Sequence, residues 1–203
     1  QSAAGTETPV EFPLPDNEIP IDIEGGHYNI CALADSGKVY CFGPNNIGQI
    51  GDGSTNDRYS FTPANLPRPA TAIALGGGHA CALLNDSTVR CWGRNDTRQL
   101  GAESISRCSY TDYRGIRGTF ACSRTPVQNQ YLTSIRGIHA NMLTTCAQHE
   151  TGAVYCWGWN AYGQIGNKSQ STTVSSPTRM TVMDAPGDGA CDVGESTAFT
   201  PQD

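Results

Sequence analysis

Residues Cys146 to Gly166 read CAQHETGAVYCWGWNAYGQIG, and the same frame stands twice more, as CALADSGKVYCFGPNNIGQIG over Cys31 to Gly51 and CALLNDSTVRCWGRNDTRQLG over Cys81 to Gly101. Cysteine, aromatic, glycine, asparagine, glutamine and a closing apolar-glycine pair recur at fixed offsets. Such periodicity means a repeat architecture in which each unit buries its apolar face against its neighbours.

Within each copy the two cysteines flank a turn and lie ten positions apart. Centring the turn on D-S-G-K sets Cys31 opposite Cys41 and Leu33 opposite Val39. Facing residues in a non-hydrogen-bonded antiparallel pair approach to ~4.5 Å at Cα, within reach of a disulfide. The reading therefore pairs Cys31–Cys41, Cys81–Cys91 and Cys146–Cys156, each worth roughly 2.5–3 kcal/mol on the chain-entropy account. Phe42, Trp92 and Trp157 follow their cysteines, point to the opposite sheet face, and are expected between neighbouring sheets. Asn45, Asn95 and Asn160 suit side-chain-capped turns. The amides of Gln49, Gln99 and Gln164 are expected to satisfy loop backbone.

Outward from this frame, residues 1–20 hold Pro9, Pro13, Pro15 and Pro20 and read as an extended leader, with at most one edge strand through Val10–Leu14. The repeats span about 21–66, 67–129 and 130–180, and a partial fourth covers 181–203, stopping before its return strand. The truncated unit points either to residues beyond Asp203 or to another chain that completes it. The second repeat alone carries an insertion, Ala102 to Thr125. It holds Cys108 and Cys122, expected to pair with each other, and leaves Cys191 unpaired or bonded outside this segment.

The pattern G-x-x-H-x-C-A-L followed by V-x-C-W-G-x-N-x-x-G-Q-[LI]-G resembles the regulator-of-chromosome-condensation repeat in its secreted, cysteine-paired form. The resemblance covers about residues 21–203. It implies an all-β chain of β-propeller blades, here an incomplete ring or a segment of a larger propeller of about seven blades. It does not imply the founding member's chromatin binding and nucleotide exchange, which suit neither disulfides nor an acidic chain. The G-W-R-H-T motif of the family's plant photoreceptors is missing. Secreted bacterial relatives include a β-lactamase inhibitor.

Nine cysteines favour an oxidising compartment: periplasm, cell surface or medium, with any signal peptide already removed before Gln1. No apolar run approaches the ~18 residues of a membrane helix. Net charge is −6, which argues against general nucleic-acid binding. Yet Arg90 to Arg136 carries eight arginines against Asp96, Glu103 and Asp112, a balance of +5 on a remainder of −11.

The chemistry-bearing candidates are few. None of the four histidines occupies a recurring position, and His79-x-Cys81 is a poor metal pair because Cys81 has a disulfide partner available. G-D-G-S-T-N-D at 51–57 is rich in oxygen but lacks the full calcium-loop ligand series, so a solvated turn is preferred. No nucleophile, acid/base pair or phosphate loop can be nominated, so no enzyme activity, cofactor or metal is expected. The insertion stands apart: Arg107, Tyr110, Tyr113, Arg114, Arg117, Phe120 and Arg124 combine guanidinium groups with aromatics, the residue types that dominate binding hot spots. The expectation is an extracellular, non-enzymatic module that recognises a protein or other acidic macromolecule through an ordered, exposed insertion. Two alternatives stand beside it: a secreted enzyme inhibitor, and a structural subunit whose ring another chain completes.

Overall fold

The computed structural model describes residues 13–103, 106–111, 115, 117–169 and 171–181. Most of the leader, Cys191 and nearly all of the partial fourth repeat lie outside them. The rest is antiparallel β structure in three sheets, one per full repeat. The first holds β1 (Pro20–Gly25), β2 (Ile30–Ala34), β3 (Val39–Gly43) and β4 (Arg58–Pro63) in chain order. The second holds β5 (Ala70–Leu75), β6 (His79–Leu84), β7 (Val89–Arg94), β8 (Ser106–Thr111) and β9 (Arg117–Gln128), with β8 outside β9. The third holds β10 (Ile135–Asn141), β11 (Thr144–His149), β12 (Val154–Trp159) and β13 (Thr173–Arg179). Of the leader, residues 13–19 add no strand: a 3-10 turn spans Pro15–Asn17, and Leu14 packs on Ala32, Ala34 and Tyr40.

The cysteine register holds at every repeat: Cys31 faces Cys41, Cys81 faces Cys91 and Cys146 faces Cys156. All three are disulfides, with Cα separations of 4.1, 4.0 and 4.1 Å. The disulfide faces of the first two blades each meet the aromatic face of the next blade. Cys31, Leu33, Val39 and Cys41 pack with Ile73, Ala82 and Trp92, while Cys81, Leu83, Val89 and Cys91 pack with Ile135, Ile138 and Trp157. Trp92 and Trp157 have no exposed surface. The core therefore runs between blades.

The indole N–H groups lock the stack. Trp92 Nε1 donates to the Gln49 carbonyl and Trp157 Nε1 to the Gln99 carbonyl, both at 2.9 Å. This approach explains the glycine that closes the repeat. A Cβ on Gly51 would lie 2.8 Å from Trp92 Nε1, and the residue's φ of 80° is itself in the left-handed region. The asparagines and glutamines brace the same loop in every copy. Asn45, Asn95 and Asn160 each accept, through Oδ1, the backbone N–H five residues on, at 3.0 Å. Gln49, Gln99 and Gln164 accept the N–H two residues back through Oε1, at 2.9–3.0 Å.

On the first sheet the corresponding face is covered in part by Leu14, over Ala32, Ala34 and Tyr40. Ile23 is 61% and Ile30 38% exposed, where their register counterparts Ile73 and Ala80 in the second sheet are buried. Among the described residues no helix is long and apolar enough to cross a membrane.

Candidate functional site

The insertion is not a loop draped on the rim but a β-hairpin that widens the second blade. β8 pairs antiparallel with the first half of β9, Arg107 opposite Ala121 and Cys108 opposite Phe120. β9 then runs on to pair with β7. The alternation that makes it a strand pair is weak in the sequence, because the polar residues dominate both faces. Its disulfide joins Cys108 to Cys122, as expected, but across a diagonal, with Cα atoms 5.8 Å apart.

One face of the hairpin is buried on the first blade. Cys108, Cys122 and Phe120 pack on Ile47, at the tip of the first repeat's N-x-x-G-Q loop. Gly53 N–H donates to the Arg124 carbonyl at 2.9 Å, and Asn95 N–H to the Ala121 carbonyl at 2.7 Å. Phe120 also carries the Arg94 guanidinium 4.3 Å above its ring, and Asp96 holds that guanidinium at 2.6 and 2.7 Å. Phe120 is therefore an anchor of the hairpin, half-buried and occupied. Arg94 belongs to the assembly too, although nothing in the insertion's own sequence points to it.

The expected arginines stand on the other surfaces. Arg107 is exposed on β8 and donates Nε to Thr119 Oγ1 at 3.0 Å, which lays its arm across the strand pair. Arg117 opens β9 and Arg124 lies further along it, both exposed. Among the described residues the ion pairs are Lys38–Glu18, Arg58–Asp52, Arg68–Asp86 and Arg94–Asp96, so Arg107, Arg117 and Arg124 are in none of them. Tyr113 and Arg114 lie outside the described residues, as does the Tyr110 side chain. A cleft of about 260 Å³ opens beside the hairpin, lined by Asn46, Thr55, Arg107, Cys108, Ser109 and Arg124.

The remaining candidates have structural occupations. His79 is fully buried, its Nε2 2.8 Å from Thr145 Oγ1 of the next blade, and Cys81 is spent in its disulfide. Burial, with Arg94 adding to it, pushes the His79 imidazole down to about 4. In the 51–57 loop, Asp52 takes Arg58 Nε at 2.7 Å and the Ser54 N–H at 2.9 Å, while Asp57 caps the Asn45 N–H at 2.8 Å. Burial raises the Asp52 carboxyl, but the bonds from Ser54 and Arg58 outweigh it and hold it below the usual range. These carboxylates build the turn.

Comparison with known proteins agrees with this architecture. The Regulator of chromosome condensation (RCC1) repeat matches residues 36–83 and 151–186 in one profile and 70–99 in another. The human X-linked retinitis pigmentosa GTPase regulator is 28% identical over 171 residues, 82% of this chain and 15% of that protein. The Xenopus laevis Protein RCC2 homolog is 26% identical over 194 residues, 87% of this chain and 37% of that one. The chain thus spans well under half the length of these relatives. Among solved structures, Saccharomyces cerevisiae Prp20p, described with its binding to Gsp1p and histones, superposes with a TM-score of 0.67 at 22% identity, over 80% of this chain and 38% of that one. Human WBSCR16 does so with a TM-score of 0.68 at 18% identity, over the same shares. The structural likenesses establish the propeller fold, and the repeat is matched over the residues given.

Proposed function

We infer that this chain of regulator-of-chromosome-condensation repeats is a non-enzymatic interaction module, and that its hairpin insertion grips an acidic protein partner outside the cytosol. The observation that carries the reading is the hairpin itself. It is anchored on the first blade by Phe120 and its disulfide, and it presents Arg107, Arg117 and Arg124 with no ion pair among the described residues. A rigid platform with forked cations loses little entropy on binding. The local balance of +5 on an acidic background supplies a field that steers an acidic partner. The relatives point the same way, one being named a GTPase regulator and another described through what it binds. Four intrachain disulfides favour an oxidising compartment, hence the cell surface, medium or periplasm.

A second reading, in which another chain supplies a further blade, draws on the exposed apolar residues of the first sheet. Ile21, Ile23 and Tyr28 there are each about 60% exposed, an apolar surface of the kind that marks an interface.

The double substitution Arg114→Ala/Arg117→Ala tests the first reading. Loss of partner binding with an unchanged melting temperature is the expected result. Unchanged binding with a lower melting temperature would make the hairpin structural and remove the assignment.

A further inference from the structure

We propose that the outer edge of β8, together with the cleft beside it, takes an extended acidic peptide by strand addition. The proposal rests on the reading of the hairpin as the binding element, and names the form and chemistry of what it binds.

β8 ends its sheet: β9 pairs with one side of it, and among the described residues no strand pairs with the other. A terminal strand presents unpaired N–H and C=O groups, which folded proteins blunt with proline, charge or cover. The three outer strands differ in this respect. β13 carries Pro177 within it and β4 ends at Pro63, whereas β8, Ser-Arg-Cys-Ser-Tyr-Thr, contains no proline. Its safeguard is Arg107, which disfavours pairing with a second copy of the same cationic edge and admits an acidic strand.

The cleft supplies the side-chain half of the site. It is lined by Arg107, Cys108 and Ser109 of β8 on one side and by Asn46 and Thr55 of the first blade on another, with Arg124 completing it. Two arginines and, among the described residues, no acidic residue line it, so its charge complement is an anion. At about 260 Å³ it falls below the ~300–1,000 Å³ typical of small-molecule sites. That space suits one or two side chains of a strand whose main chain is held elsewhere. Strand addition provides that hold: main-chain bonds give affinity, and alternate side chains meet pockets on one face. A peptide acidic at every second residue therefore places its carboxylates on one face of the hairpin, beside Arg107 or, in the other register, beside Arg124.

The test uses the full chain and a fluorescein-labelled alternating Glu-Thr decapeptide, read by anisotropy. Its arms are the same peptide N-methylated at alternate residues, dextran sulfate, and the variant R107Q/R124Q. The expected result is saturable binding of the unmodified peptide, about tenfold weaker in the variant at unchanged melting temperature. N-methylation on the pairing edge abolishes binding, and amide exchange slows over residues 106–111. Equal binding of both N-methylated registers would overturn strand addition, and equal binding to the variant would overturn the cleft. Dextran sulfate binding without peptide binding would reassign the surface to anionic polysaccharide. Arg117 is not among the described residues that line this cleft, so the two readings fail separately.

Discussion

Acidification should destabilise the blade stack through a single imidazole. Thr145 Oγ1 donates its one proton to the Gln99 carbonyl at 2.8 Å, so at its 2.8 Å contact with His79 it must accept. His79 is thereby fixed as the Nε2–H tautomer, and Nδ1 is left buried with no partner. Protonating Nδ1 puts a charge into the interface between the second and third blades, which is why burial and then Arg94 lower the group from 6.5 to about 4. The folded value lies below the unfolded one, so the unfolded chain binds the extra proton between them. The contribution is full above pH ~6.5, falls as pH drops through that window, and levels off below pH ~4. At ~1.4 kcal/mol per pKa unit the loss is roughly 3 kcal/mol. Denaturant unfolding of wild type and His79→Gln, disulfides intact, measures it from pH 8 to 4. The glutamine amide can still donate to Thr145 but does not titrate, while His27, His139 and His149 act equally in both proteins. The wild type should lose roughly 3 kcal/mol more than the variant over that range. Parallel pH profiles would refute the buried-neutral assignment and the tautomer with it.

Three further outcomes follow from the same packing. Gly51→Ala meets Trp92 Nε1 at 2.8 Å in a left-handed backbone and should cost about 1–3 kcal/mol in denaturant unfolding. Trp157→Phe removes the indole N–H from the Gln99 carbonyl and leaves a small void. It should cost about 2–3 kcal/mol. Non-reducing peptide mapping should recover Cys108 linked to Cys122 and the three ten-residue loops intact. A link from Cys191 to Cys108 or Cys122 would contradict the hairpin.

What the sequence disclosed was whatever it repeated. The disulfide register, the interblade place of Trp92 and Trp157, and the bracing roles of Asn95 and Gln99 were all legible, because three copies hold one geometry and chance holds none. The contacts between copies were not. That the carbonyl of Gln49, rather than its amide, receives the next blade's indole depends on how blades stack, which offsets within one repeat cannot express. Nor does aligning His79 with Asn29 and Thr144 reveal that its partner is Thr145 of the following blade. The insertion was legible as an ordered, cationic element from its cysteines and arginines. Occurring once, it offered no second copy to separate strand from loop. The pairing of Arg94 with Phe120 joins two segments remote in sequence, and it turns Phe120 from an expected contact into a support.

The central claim is that the hairpin arginines face a partner. A photo-crosslinking residue at position 117, with position 59 on β4 as the control because Tyr59 is 85% exposed, tests it on both the medium and a whole-cell extract of the source. One discrete adduct from position 117, competed away by unlabelled protein and weakened by salt, and none from position 59, is the expected result. Equal capture at both positions, or none at 117, would contradict it.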